Sequence, residues 1–330
     1  MSERVHGYWV GGYTPTGDGG VRLLDPATGG APVVVRTADP SYLLASPDRP
    51  GLLYAVDEGG RAVVAIRGEE VLARVGTAGD SPCHLALVAG GRLLLAACYG
   101  DGVVSAHRLD EQGLPAAGVP LPEPDPAPTG PHPAQDGPHA HSCLEVSGLL
   151  LVADLGTDRV LLYRPDGDGF AFDGAVALPA GSGPRDLLPL PGGGVLVLGE
   201  HDARVHVLDV DGRRVRASVN VAADPAPGDQ AAGMTLTGDR LTAGLRGSDR
   251  IAVLRTGDDG VPVPVGSAPA GGAWPRHHVV DGDRLLVANE RSGTITALPL
   301  LSDGALGTAV GVAAVPAPTF LLAADEGAAR

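Results

Sequence analysis

Apolar residues along the chain come in short runs: LLYAV at 52–56, LLLAAC at 93–98, LLLVA at 149–153, VLVL at 195–198 and LLVA at 285–288. Each is followed within two residues by Gly, Asp or Asn. None is long enough for a helix turn pattern to establish itself, and the punctuation is that of tight turns, so the runs predict buried β-strands. A second run follows each turn, as in AVVAI at 62–66, VLLY at 160–163 and IAVL at 251–254. The chain therefore predicts strand pairs throughout.

The pairs repeat. YAVDEGGRAVVAI, AACYGDGVVSAH, VADLGTDRVLLY, VLGEHDARVHVL, AGLRGSDRIAVL and VANERSGTITAL align without gaps, and YWVGGYTPTGDGGVRLL is a looser seventh copy. Each pair is preceded by another short strand, beginning near residues 40, 82, 140, 184, 231, 275 and 318. A period in the low forties with several strands per unit is the signature of a β-propeller. The expectation is an all-β, seven-bladed propeller forming a single domain over 1–330. The last copy supplies only a first strand and the N-terminal copy only later ones, so the two ends together complete one blade and close the ring. One interval is longer: residues 113–138 are Pro-rich, lack strand periodicity and predict a loop insertion, either a partial lid or a solvated excursion.

In a propeller the first strands line the central channel, so aligned positions form rings. The ring at the start of the first strands is Ser41, Cys83, His141, Arg185, Ala232, Arg276 and Thr319. The ring just after the second strands is Tyr13, Glu58, Tyr99, Leu155, Glu200, Arg246 and Glu290. Antiparallel pairing puts both at the same end of the channel. Three arginines near one opening suit a phosphate or carboxylate, and a His beside a Glu suits acid/base work. Singly, each of these residues reads as a surface ion pair or a solvated turn; their convergence is the signal.

His139 and His141, in PHAHS, are two apart. Strand alternation points them the same way, and such a pair can chelate a metal if Asp154, Glu200 or His201 supplies a third ligand. Without a carboxylate-rich cluster, acid/base work ranks above metal binding, and His139 reads as a support for His141 or a lid contact. Of His277 and His278, one should face the channel and the other the blade packing. No metal and no cofactor are expected.

Composition changes the picture in two respects. A net charge of −15 argues against nucleic acid and anionic membrane partners while leaving room for a small anionic ligand over a local arginine cluster. Three cysteines with no zinc spacing, no signal-peptide pattern and no membrane-length apolar run predict a soluble cytoplasmic protein with reduced thiols. With a closed ring and no exposed apolar stripe, a monomer is the simplest expectation.

Through GGYTPTGDGGVRLLDPATG, PSYLLASPD, YAVDE, SPCHLAL, PHAHSCLEV, LLLVADLGTDRV, GSGPRDL, LRGSDRIAV, WPRHHVV and LLVANE, the chain resembles the seven-bladed propeller lactonases, which include 6-phosphogluconolactonases and a carboxy-cis,cis-muconate cyclase. The resemblance implies functional residues at His141, Arg185, Glu200 and Arg246, and no metal. Four places depart from the family's pattern: Gly233 where Glu is usual, Asp186 where His is common, Gly199 where Asn is common, and Ala134-Gln135-Asp136 where Arg-Gln-Glu often stands. The implied activity is hydrolysis of an anionic sugar lactone, 6-phosphogluconolactone foremost. Catalysis would rest on His141, Glu200, Arg185 and Arg246. Arg276, His139, His277, Tyr99, Tyr13, Glu58 and Glu290 would contact substrate. Two alternatives stand beside it: a cycloisomerase using the same anion clamps or a biosynthetic enzyme on another lactone, and a non-catalytic ligand- or protein-binding propeller.

Overall fold

In a computed structural model, which describes residues 7–14, 19–209, 213–302 and 304–324, the predicted runs form seven four-stranded antiparallel sheets arranged as blades. Numbered in order of their innermost strands, blades 1 to 7 begin with Leu43–Ala45, Pro82–Val88, Ala140–Val146, Pro184–Pro189, Ala231–Thr237, Pro275–Asp281 and Pro318–Ala323. Six of the seven starts fall where the repeat places them, and the first falls three residues later.

Blade 7 joins the two ends of the chain. Pro318–Ala323 pairs antiparallel with Tyr8–Gly12, with Val10 opposite Leu321, and Val21–Leu24 and Val33–Val35 complete the sheet. Residues 15–18 of the N-terminal copy lie outside the described residues.

The core is not one cluster but seven, one at each junction between blades. Leu52, Tyr54 and Val63 of blade 1 pack on Leu85 and Leu94 of blade 2, and Leu198 and Val207 of blade 4 pack on Leu241 and Leu254 of blade 5. The remaining junctions follow the same plan. This explains why the second and third strands read as continuous apolar runs: both faces of each are covered by neighbouring blades. Each fully buried Leu or Val of this kind contributes about 1.5–3 kcal/mol.

The innermost strands depart from simple alternation. Their pairing with the second strand slips by one residue between Pro82 and His84, Ala140 and Ser142, Pro184 and Asp186, and Pro275 and His277. Blade 5 slips between Ala231 and Met234, and blade 7 between Phe320 and Pro318. Cys83, His141, Arg185, Arg276 and Thr319 are the skipped residues. A bulge leaves its extra residue unpaired and re-aims the side chain.

The Pro-rich segment is docked rather than free. Val119–Pro120 pairs with Val104–Arg108 as the outermost strand of blade 2, a strand too short and Pro-marked to show periodicity; an edge position tolerates the proline. Further along, the Gln135 side-chain amide donates to Leu155 O and Asp158 Oδ1, each at 2.7 Å. Gly130 N donates to Gly156 O at 2.9 Å, and a Cβ on Gly156 would lie 1.7 Å from Gly137 O, so only glycine admits this approach.

Candidate active site

The channel holds a cavity of about 1260 Å³ whose wall includes all seven residues of the first ring. The second ring stands just behind it and pairs with it through charge. Within blade 4, Arg185 on the first strand meets Glu200 after the second at 2.5 Å. Arg246, from blade 5, reaches the other Glu200 oxygen at 2.8 Å. Two guanidiniums thus share one carboxylate across a blade junction. Arg185 Nε also donates to Ala232 O at 2.6 Å, which fixes its plane. Both arginines are deeply buried, at 7% and 5% exposure.

A second group lies across the mouth. Arg276 bonds Glu290 at 2.8 Å within blade 6 and donates to the Tyr13 hydroxyl at 2.7 Å. The Tyr13 hydroxyl lies 3.5 Å from Glu58, which accepts a short hydrogen bond from Ser41. The mouth therefore carries three guanidiniums and three carboxylates, each guanidinium already in contact with an acid.

These contacts set the protonation states. Burial alone would raise the Glu200 carboxyl, but Arg185 and Arg246 together hold it well below the usual carboxylate range. Burial, joined by Arg185 and Arg276, pushes His141 well below the ordinary imidazole value, so its ring is neutral at physiological pH. Arg246 is lowered to about 10 by burial and by Arg185. Burial raises Glu58 despite the Ser41 bond and Arg276.

His139 and His141 do not point the same way. The bulge at His141 breaks the alternation, so His141 faces the channel while His139 packs behind it. The His139 ring stacks on Tyr99 with centroids 4.4 Å apart, meets Tyr99 O at 2.5 Å and bonds Asp136 at 2.9 Å. Tyr99 presents its edge to His141 at 6.0 Å. Neither His139 nor Tyr99 lines the cavity, and nor do Tyr13, Glu58, Glu200, Arg246 and Glu290. These seven stand beside the ring: Tyr13, Glu58, Tyr99, Glu200 and Glu290 keep partial exposure, while His139 and Arg246 are buried. Of the histidine pair on blade 6, His277 is half-buried against the channel, while His278 is buried and bonds Thr242 of blade 5 at 2.9 Å across the junction; both touch the cavity wall.

One layer deeper lies a second belt, the next column of the same alignment, from which sequence reasoning singled out His277, Asp186 and Gly233 without assembling the belt. On one side His277, Phe320, Tyr42 and His84 form an unbroken aromatic crescent, with centroids 3.9, 4.2 and 4.4 Å apart. On the other side stand the small or acidic Ser142, Asp186 and Gly233. Three belt residues stitch neighbouring blades: His84 Nδ1 accepts from Cys143 N at 3.4 Å, Asp186 Oδ2 from Met234 N at 2.9 Å, and His277 Nδ1 from Leu321 N at 3.2 Å. Burial lifts the Asp186 carboxyl to about 6. Among the described residues, no group of three or more His, Cys, Asp and Glu is placed to hold a metal ion.

Several known proteins are similar to this chain. The gluconolactonase of Pseudomonas aeruginosa, described as periplasmic, superimposes with a TM-score of 0.85 and 25% identity, covering 96% of this chain and 98% of that one. The 6-phosphogluconolactonase of Bacillus subtilis (strain 168) is 25% identical over 313 residues, 87% of this chain and 89% of that one. An uncharacterised protein of Staphylococcus aureus (strain bovine RF122 / ET3-1) is 27% identical over 221 residues, so the match spans 64% of this chain and 65% of that relative's length. From residue 7 to residue 323, which takes in every blade, the chain matches the family described as "Lactonase, 7-bladed beta-propeller", and it belongs to that family.

Proposed function

We propose that the protein hydrolyses an anionic sugar lactone at the channel mouth, with 6-phosphogluconolactone as the leading substrate and 6-phosphogluconate as the product. The observation that carries this reading is Arg185: a guanidinium on the channel wall, its plane fixed by Glu200 and Ala232 O, beside a neutral His141. Arg185 and Arg276 would stabilise the oxyanion that develops as water adds to a lactone carbonyl. Glu200, held ionised between two guanidiniums, is a poor proton acceptor. Its part is to hold Arg185 and Arg246 in place. His141 offers the substrate a neutral imidazole. In this reading the enzyme works as a cytoplasmic monomer and needs neither metal nor cofactor. The name of the Bacillus subtilis relative supports the phosphorylated substrate.

A second reading is favoured by the charge balance. The three guanidiniums of the mouth are matched by Glu58, Glu200 and Glu290, so little net positive charge is left for a phosphate. The unphosphorylated glucono-δ-lactone would suit such a site, and the name of the Pseudomonas relative agrees. The test is hydrolysis of freshly made 6-phosphoglucono-δ-lactone, followed through a coupled dehydrogenase, and of glucono-δ-lactone, followed by acid release. EDTA and His141→Ala serve as controls. A rate above the spontaneous blank, kept in EDTA and lost in His141→Ala, is expected. The ratio of the two substrates decides between the readings, and rates equal to the blank with both would overturn them together.

A further inference from the structure

The belt below the ring poses a question of chemistry. The stitch between neighbouring blades needs a hydrogen-bond acceptor and no charge: His84 and His277 make it with imidazoles that burial keeps neutral. Blade 4 makes the same stitch with a carboxylate. Each Asp186 oxygen takes one backbone N–H, Oδ1 from Leu187 at 3.0 Å and Oδ2 from Met234 at 2.9 Å. No cation lies within ion-pair distance of it among the described residues, although a carboxylate at this depth costs stability when unpaired. Its neighbour Gly233 carries no side chain. A Cβ there would meet nothing nearer than Arg276 O at 3.4 Å and Asp186 Oδ2 at 3.8 Å, ordinary contact distances, so no side chain stands between Gly233 and the carboxylate. Asp186 lines the same cavity as His141, Arg185 and Arg276.

On the reading that this channel hydrolyses a lactone, we propose that Asp186 is the catalytic proton acceptor that activates the attacking water. Glu200 is fully engaged with two guanidiniums, and His141 is held neutral by burial and by Arg185 and Arg276, which makes it a weak base. Asp186 keeps free lone pairs on both oxygens and faces the void. The water oxygen forms a bond to the lactone carbonyl carbon while its proton passes to Asp186, and the oxyanion is held by Arg185 and Arg276. The tetrahedral intermediate then collapses, breaking the bond from that carbon to the ring oxygen. The departing alkoxide takes the proton back from Asp186, giving the hydroxy acid and restoring the carboxylate. General-base assistance of this kind is worth about 10²–10⁴-fold.

The groups that bear on this carboxylate are Arg185 on its own strand and Tyr42 across the channel on blade 1, with His277 beyond Gly233 on blade 6; His141 stands on the neighbouring innermost strand of blade 3. The facing strand of blade 5, AAGMTLT, carries none.

The experiment is a blank-subtracted pH–rate profile of kcat/KM on glucono-δ-lactone and 6-phosphoglucono-δ-lactone, from pH 5 to 7.5. It compares the wild type with Asp186→Asn and Asp186→His, both of which retain an acceptor for Met234 N. The wild-type rate is expected to rise through a limb near the Asp186 value of about 6. Asp186→Asn should fall about 100-fold or more and lose the limb, with an unchanged circular dichroism spectrum. Asp186→His should recover part of the rate with a displaced limb. A folded Asp186→Asn variant within threefold of wild type, or one that keeps the limb, would reduce Asp186 to a stitch and leave the lactonase reading standing. A wild type no faster than the blank on both lactones would overturn both.

Discussion

Glu200 shows how far a residue's surroundings can move it from the role its type suggests. A carboxylate beside a histidine invites the label of general base, yet Arg185 and Arg246 occupy both of its oxygens and hold it ionised. Its value lies in keeping two buried guanidiniums compensated, so removing its charge costs stability as well as activity. Glu200→Gln should lose about 3–5 kcal/mol of stability at pH 7, because it leaves buried charges without a partner. The pH dependence has a definite sign. The folded carboxyl is depressed, so its contribution is complete above the unfolded value near 4.5 and is lost progressively as pH falls towards the folded one. In urea unfolding, the gap between wild type and variant should be constant from pH 7 to 5 and narrow below that; a gap that grows in acid would mean the stabilisation lies elsewhere. The ring columns that found Glu200 were legible because the repeat aligns without gaps. Arg246 was legible in the same column, but its contact with Glu200 was not, since nothing in a single copy says that it will turn back across the junction.

At the scale of the strand, the bulge decides what faces the channel. Alternation holds along the second and third strands, where the apolar runs were read correctly. It fails at the innermost strands, where the pairing slips by one residue and separates His139 from His141. A bulge has no sequence mark here beyond the recurring Pro or small residue before it, so the ring could be found by alignment but its neighbours could not be oriented. The short strand Val119–Pro120 was hidden for a related reason: two residues carry no period. The close approach of one blade to the next gives a paired prediction. A Cβ on Gly244 would lie 2.6 Å from Pro275 O, whereas on Gly233 it meets nothing under 3.4 Å. Gly244→Ala should therefore cost about 1–3 kcal/mol by overpacking the junction of blades 5 and 6, and Gly233→Ala should leave the melting temperature within a degree or two. Equal losses in the two variants would mean that the junction is less rigid than its geometry. The stitches give another prediction. Burial lowers His84 and His277 to about 3 and His278 to about 4. Each takes up a proton on unfolding once pH drops below about 6.5, so each withdraws roughly 1.4 kcal/mol per pH unit below that. Asp186, raised to about 6, opposes this with a single proton. Urea midpoints should fall steeply between pH 6.5 and 5.5; a flat profile would show that these rings are charged in the folded state.

Over the whole molecule, stability is shared among seven junctions, and each blade depends on the two beside it. Blade 7 is the one that joins distant parts of the chain, through Val10 opposite Leu321 and a final bond from Ala324 N to Gly7 O at 2.9 Å. A chain ending at Ala317 would lose the innermost strand of that blade together with Thr319 of the ring, and would bare the Tyr8–Gly12 edge. It should show no sharp thermal transition and should scatter light at concentrations where the full chain stays clear; a cooperative melt within a few degrees of the intact protein would show that the open ring suffices. The same pairing sets a timetable for synthesis. Tyr8–Gly12 leaves the ribosome early, and its partner is translated some three hundred residues later. At about 5–20 residues per second, that is a delay of roughly 15–60 seconds. Throughout it the first-made strands wait with an unsatisfied edge, and the mouth that needs Thr319, Arg276 and Tyr13 together cannot exist. The complete pocket can form only when the end of the chain returns to its beginning.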